Sequence, residues 1–303
     1  MTDLLIGGIA GLTSRTLTAP LELNKLHKQN PFMPHSNWRE VVRLEGIRGL
    51  WKGNVINGAR IFPQMSINYY FYHRTKKHLW VPVYEKVYHT TPVSKAYSEK
   101  HPIIHLLSGA TAGVISTCVI YPLETIRSRL SLQINHNHYS GVVDSFKQIS
   151  IRDLYKGFGV SICGFVPFNA ISFSIYNYLK NKADDFENEN NTSSSPSSSP
   201  FTSWIKTYPS CTQLLCGGFA GVGALTITYP TDLIRKRMQL QNFDSNVPVY
   251  KSARDCLRKM YLCEGGIRGV YCGLGASYVK LFPALAIQFY TMETLRTYFG
   301  NKE

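Results

Sequence analysis

An acid and a base stand three residues apart, behind a proline, at three places in the chain. They are Glu22 and Lys25 after Pro20, Glu124 and Arg127 after Pro122, and Asp232 and Arg235 after Pro230. The prolines are separated by 102 (122−20) and 108 (230−122) residues. On a helix, residues three apart share a face, so each copy alone could form a local pair worth about 0.2–0.5 kcal/mol. A proline within a helix removes a backbone donor and bends the axis. Three bent, charged helix ends at regular spacing suggest a larger device: around one axis, each acid can reach a neighbour's base and close a ring. Charges on membrane helices face a watery path or one another, because lipid does not solvate them. The chemistry expected is therefore reversible ion pairing. No nucleophile–base constellation, Walker loop or metal-ligand spacing stands out, so neither an enzyme nor a cofactor is expected.

The segments that carry these residues repeat as well. The apolar run from Leu4 to Leu21 contains Gly7, Gly8 and Gly11, and its counterparts contain Gly109 with Gly113 and Gly217, Gly218 with Gly221. Small residues four apart let helix backbones approach where lipid supplies no hydrophobic drive. Polar stretches follow at 36–45, 142–151 and 252–264. Each leads to a glycine-rich element: Glu45-Gly46 to Trp51-Lys52-Gly53, Asp153 to Tyr155-Lys156-Gly157, and Glu264-Gly265 to Tyr271-Cys272-Gly273. A second apolar helix then carries Pro63, Pro167 or Pro283. The pattern predicts an all-α membrane protein with six transmembrane helices in three pseudo-repeats of about 100 residues. The repeats are placed at 1–83, 100–183 and 208–299. An even number of spans puts both termini on one side. The Ser-, Pro- and Asn-rich segment 184–203 has too little apolar area to pack and is expected to be a disordered linker.

Composition adds the sign of the partner. The 303 residues carry a formal net charge of +14, with an isoelectric point near 9.4 and a mean hydropathy of −0.13. A basic chain fits an anionic partner, and the modest hydropathy fits helices that line a watery cavity. The bases follow the repeat and do not gather as one patch, which argues against nucleic acid. Seven scattered cysteines show no paired spacing and read as packing thiols. No secretory leader or removable presequence is expected at the N-terminus.

The triple P-x-[DE]-x-x-[KR] motif, the downstream [DE]-G-x-x-x-x-[WY]-[KR]-G element and the repeat length together resemble the mitochondrial carrier family, from Leu4 to about Arg296. The resemblance implies a six-helix bundle with threefold pseudosymmetry, three short matrix-side helices and one central site reached alternately from either side. It places the chain, as a monomer, in the mitochondrial inner membrane with its termini on the intermembrane-space side and cardiolipin among its lipids. Peroxisomal relatives share the motifs. On this reading Glu22, Lys25, Glu124, Arg127, Asp232 and Arg235 form the matrix gate, braced by Gln29 and Gln239, with Ser131 in the third brace position.

The second gate of the family is eroded here. The matching positions leave Lys76, Lys180 and Arg296 facing one acid, Glu293. A weak second gate favours a resting state open toward the cytosol, with surplus positive charge at that mouth. The family's substrate contacts lie one turn before the even-helix prolines, at Arg60, at Gly164 with Phe165, and at Lys280; Arg15 matches a further basic cavity position. Three midspan cations suit a small multivalent anion, and a guanidinium can hold phosphate bidentately. Gly164 would leave room for a flat ring and Phe165 would offer a wall. The resemblance is strongest to the subgroup that carries ATP-Mg, coenzyme A and adenine nucleotides, so the expected activity is exchange of a phosphate-bearing, nucleotide-like anion. The alternatives are a carrier of another anion, such as a carboxylate, and a non-transporting membrane scaffold.

Overall fold

A computed structural model describes residues 2–32, 38–88, 102–133, 139–192, 209–243 and 247–300. Every long element is a helix, and no strand occurs among the described residues. The first repeat contains α1 (Thr2–Leu17), α2 (Ala19–Gln29), α3 (Trp38–Glu45), α4 (Asn54–Ala59), α5 (Ile61–Thr75) and α6 (Val81–Tyr88). The second contains α7 (Pro102–Leu132), α8 (Val142–Gln148), α9 (Ile151–Leu154) and α10 (Phe158–Thr192). The third contains α11 (Pro209–Leu240), α12 (Ala253–Cys263), α13 (Ile267–Val270) and α14 (Leu274–Gly300). Each repeat is thus a long helix, a short helix and a second long helix. The short helices α3, α8 and α12 lie within the three polar stretches.

Pro20 interrupts the first long helix, at Thr18, whereas Pro122 and Pro230 lie inside α7 and α11. Three helical stretches are long and apolar enough to cross a membrane by length and composition: 103–132, 151–182 and 267–299. The first repeat divides its two spans into shorter segments at Thr18 and Arg60. Large apolar side chains such as Leu5, Val55, Val119, Phe173 and Ile227 are exposed, as expected where much of the solvent is lipid and every backbone group is paired within a helix.

The glycines predicted to bring helices together do so in threefold register. A Cβ on Gly11, Gly113 or Gly221 would meet Ile61, Phe165 or Leu281, each two residues before an even-helix proline. Between repeats, Ser14 Oγ donates to the Ala284 carbonyl at 2.6 Å and Ser116 Oγ to the Gln64 carbonyl at 3.1 Å. Ala224, with no hydroxyl, occupies the third equivalent position.

The turns into the even helices need glycine. Gly53, Gly157 and Gly273 have φ of 73°, 83° and 82°, a region that L side chains enter only at a cost. Each also presses against the odd helix of the next repeat: Gly157 would set a Cβ 3.2 Å from the Arg235 carbonyl, and Gly273 3.2 Å from the Gln29 amide. Aromatics pin these turns, with Tyr121 Oη donating to the Lys156 carbonyl at 2.8 Å and Tyr229 Oη to the Cys272 carbonyl at 2.6 Å.

The first part of the segment 184–203, expected to be a disordered linker, is helical. Helix α10 continues to Thr192, because extending an existing helix adds one hydrogen bond per residue fixed and needs no new nucleus. The remainder, 193–203, lies outside the described residues.

Candidate gate and central cation site

The odd helices meet at one end. Below their charged turns, Leu26, Leu132, Leu240 and Phe243 form an apolar plug. Just above it lie two inter-helix ion pairs of the predicted ring. Arg127 Nη2 is 2.7 Å from Glu22 Oε2, and Arg235 pairs with Glu124. The predicted third pair is missing: among the described residues no ion pair within 4.0 Å joins Lys25 or Asp232 to a partner. Glu124 instead gains a cation that the motif did not mark, Lys236, at 3.0 Å. Lys236 Nζ also contacts Ser128 Oγ at 3.4 Å and Gln239 Oε1 at 3.2 Å. The ring is therefore asymmetric, with its charge gathered on Glu124.

The glutamines differ from the expected braces in one respect. Gln239 lies beside the Glu124 cluster through Lys236. Gln29 bonds not to an ion pair but to the Tyr229 hydroxyl, at 3.2 Å. Ser131 donates to the Lys52 carbonyl at 3.2 Å and so braces the turn of the first repeat.

The basic residues predicted at mid-depth come from three helices. Arg15 on α1 donates to Asn57 Oδ1 at 3.1 Å and lies within electrostatic reach of Arg60, Glu22, Arg127 and Glu124. Arg60, at the junction of α4 and α5, has Nη1 3.5 Å from Glu124 Oε2. Lys280 on α14 has Nζ 3.2 Å from Glu22 Oε1. All three thus stand over the gate acids.

The other two predicted site residues are used in packing. A Cβ on Gly164 would fall 2.6 Å from Thr231 Oγ1, so its bare backbone admits helix α11 and not a ring. The Phe165 ring lies on Gly113. The threefold pattern explains this: Phe165 holds the register of Ile61 and Leu281, both of which join the two long helices of a repeat.

Two buried arginines went unmarked. Arg129 donates to the Gln239 carbonyl at 3.1 Å and the Gln241 carbonyl at 3.0 Å. Arg237 donates to the Gln29 carbonyl at 3.3 Å and to Glu264 Oε2 at 2.6 Å. Each ties its own repeat to another element at the closed end. Their signal was present, since both stand two residues beyond a gate base, in phase with a fully buried His27.

At the opposite end the even helices do not pack on one another as the odd ones do. Lys180, Glu293 and Arg296 are exposed and Lys76 is half-buried. Among the described residues no carboxylate lies within 4.0 Å of Lys76 or Lys180. The bundle is latched at one end by buried ion pairs and carries basic residues at the other.

A threefold repeat of kinked odd helices, glycine-turned even helices and charged odd-helix ends is now joined by a match over most of its length. The family described as mitochondrial carrier protein matches residues 1–82, 98–186 and 206–303. The chain belongs to the mitochondrial carrier family. Among relatives of this carrier, mitochondrial substrate carrier family protein P of Dictyostelium discoideum is 32% identical over 98% of this chain and 94% of its own length. Human solute carrier family 25 member 16 is 31% identical over 99% and 88%. The mitochondrial adenine nucleotide transporter ADNT1 of Arabidopsis thaliana is 31% identical over 98% and 87%. The membership makes the carrier a multi-pass transporter of the mitochondrial carrier type.

Proposed function

We propose that this carrier exchanges a phosphate-bearing, nucleotide-like anion across the mitochondrial inner membrane by alternating access. The observation that carries the reading is the convergence of Arg15, Arg60 and Lys280, from three helices, above one closed gate. Three cations at one depth call for several negative charges on one small molecule, and two guanidiniums can grip phosphate oxygens in pairs. Adenine nucleotide transport in the name of the Arabidopsis relative supports the same substrate class. Gly164 and Phe165 contribute helix packing in this reading, so the cations alone form the proposed site.

The latched end faces the matrix, the termini face the intermembrane space, and the substrate enters from the basic end. Glu22, Arg127, Glu124, Arg235 and Lys236 hold the matrix gate, with Lys25 and Asp232 available to strengthen it. Removing one partner of a buried pair costs about 3–5 kcal/mol, enough for a few pairs to set the resting state. Lys76, Lys180, Glu293 and Arg296 form the second gate after the even helices close. The carrier works as a monomer, and cardiolipin is the lipid expected at its matrix-side helices.

Uptake into liposomes decides the reading. A labelled panel of ATP, ADP, AMP, coenzyme A, adenosine phosphosulfate and dicarboxylates is offered to the wild type and to Arg60→Ala. Nucleotide or coenzyme A exchange that falls more than a hundredfold in Arg60→Ala supports the proposal. Uptake of dicarboxylates alone would favour the carboxylate alternative, and wild-type rates in Arg60→Ala would remove Arg60 from the site.

A further inference from the structure

The gate acids and the site cations are not separate sets. Glu22 offers one oxygen to Arg127, at 2.7 Å, and the other to Lys280, at 3.2 Å. Glu124 is shared by Arg235, Lys236 at 3.0 Å and Arg60 at 3.5 Å. These contacts follow one rule of register. The residue three before an even-helix proline in one repeat meets the acidic turn of the next repeat's odd helix. Arg60 meets Glu124 and Lys280 meets Glu22. Gly164, the third in the series, meets Thr231, the neighbour of Asp232. Lacking a side chain, it leaves Asp232 untethered. Arg15 differs again, because its side chain donates to the Asn57 amide oxygen and among the described residues no carboxylate lies within 4.0 Å of it.

We infer that Glu22 and Glu124 stand in for the substrate in the empty carrier, holding Lys280 and Arg60 until anionic groups of the incoming solute displace them. This rests on the proposed transport function and names how its site is coupled to its gate. Burying a charge without a close counter-charge is costly, so Lys280 and Arg60 stay on their carboxylates until an anion replaces them. An entering phosphate that takes Lys280 therefore releases one oxygen of Glu22, and a second anionic group that takes Arg60 releases its share of Glu124. Both gate acids then keep only their gate bases. Arg15, with no carboxylate within 4.0 Å among the described residues, adds its grip to the groups held by Lys280 and Arg60 and frees no tether of its own. A solute with one anionic group frees one tether and leaves the other latched. Selection for at least two separated anionic groups follows from the exchange itself, as does the asymmetry of the gate: two acids are tethered to the site and the third is not.

Binding of ADP to the purified full chain in detergent, measured by titration calorimetry, tests the exchange. If the acids compete for the cations, Glu22→Gln and Glu124→Gln each lower the Kd for ADP about tenfold. A Kd that is unchanged or raised overturns the inference, since acids that merely orient Lys280 and Arg60 would weaken binding when removed. Asp232→Asn takes the same charge from the same ring without freeing a site cation, and its Kd should move less than threefold; an equal tightening would assign the effect to gate loosening and overturn the inference. Glu22→Asp retracts the carboxylate by one methylene and should tighten ADP in the same sense, which covers a Glu22→Gln protein that fails to fold. The same series is run with inorganic pyrophosphate and citrate. Tightening seen with citrate alone keeps the exchange and removes the nucleotide reading. No binding of any probe to the wild type or the variants removes both.

Discussion

At the scale of single residues, charge and size at equivalent positions assign different work. Cys256 is buried at the heart of the third repeat, with Met260 and Tyr250 around it. Burial pushes its thiol up to about 12. At pH 8 only about one part in ten thousand is then thiolate, the reactive form. Maleimide at pH 8 should modify Cys263, exposed at the end of the short helix α12 outside the spans, at least a hundredfold faster than Cys256, as peptide mass mapping over time would show. Phe165 gives a second test. Its ring packs on Gly113, so Phe165→Ala should cost on the order of 3 kcal/mol of stability. A thermal melt should show the loss while affinity for the transported anion changes less than threefold. A large fall in affinity with an unchanged melt would return Phe165 to the substrate wall.

At the scale of elements, the stringent positions are the turns into the even helices. Gly53 has a left-handed φ of 73°, and its missing side chain faces Ser131. Gly53→Ala adds roughly 1–2 kcal/mol of backbone strain to that contact, and a drop of several degrees in melting temperature is expected. Gly7, with no atom within 4 Å of its Cβ position, is the contrast. Gly7→Ala should leave the melting temperature unchanged or raise it, since alanine suits a helix interior better than glycine by about 0.5–1 kcal/mol. The element pattern was legible in the sequence because proline and glycine act locally, through a missing donor and a permitted φ. The extent of α10 was not legible. The polar composition after Asp184 indicates where packing ends but not where a helix already under way stops.

At the scale of the whole molecule, the structure is latched at the end where the odd helices meet and open at the other. Single cysteines in an otherwise cysteine-free carrier report this. Asn68→Cys, at an exposed position on α5, should react with an impermeant thiol reagent at least tenfold faster than Ser128→Cys, which lies buried beside Glu124 and Lys236. Equal rates at rest would mean that the latch does not hold. The surplus of bases at the open mouth should also make the apparent KM for the anion rise with ionic strength, because salt screens exposed charges beyond about 10 Å at 0.1 M. A KM independent of salt would exclude steering by Lys76, Lys180 and their neighbours.

By itself the sequence determined the threefold repeat and the six-helix plan, and it singled out the charged helix ends and the basic residues proposed as gate and site. Each of these is written in spacings that recur in phase, and periodicity survives without knowledge of contacts. Only the tertiary structure decided which acid meets which base. Glu124 collects Arg235, Lys236 and Arg60, Glu22 is divided between Arg127 and Lys280, and Lys25 and Asp232 stay apart. A motif gives every copy the same charges, but an ion pair depends on differences of an ångström or two between helices from different repeats. Those distances are set by the neighbouring side chains, such as a glycine at 164 where the other repeats carry Arg60 and Lys280.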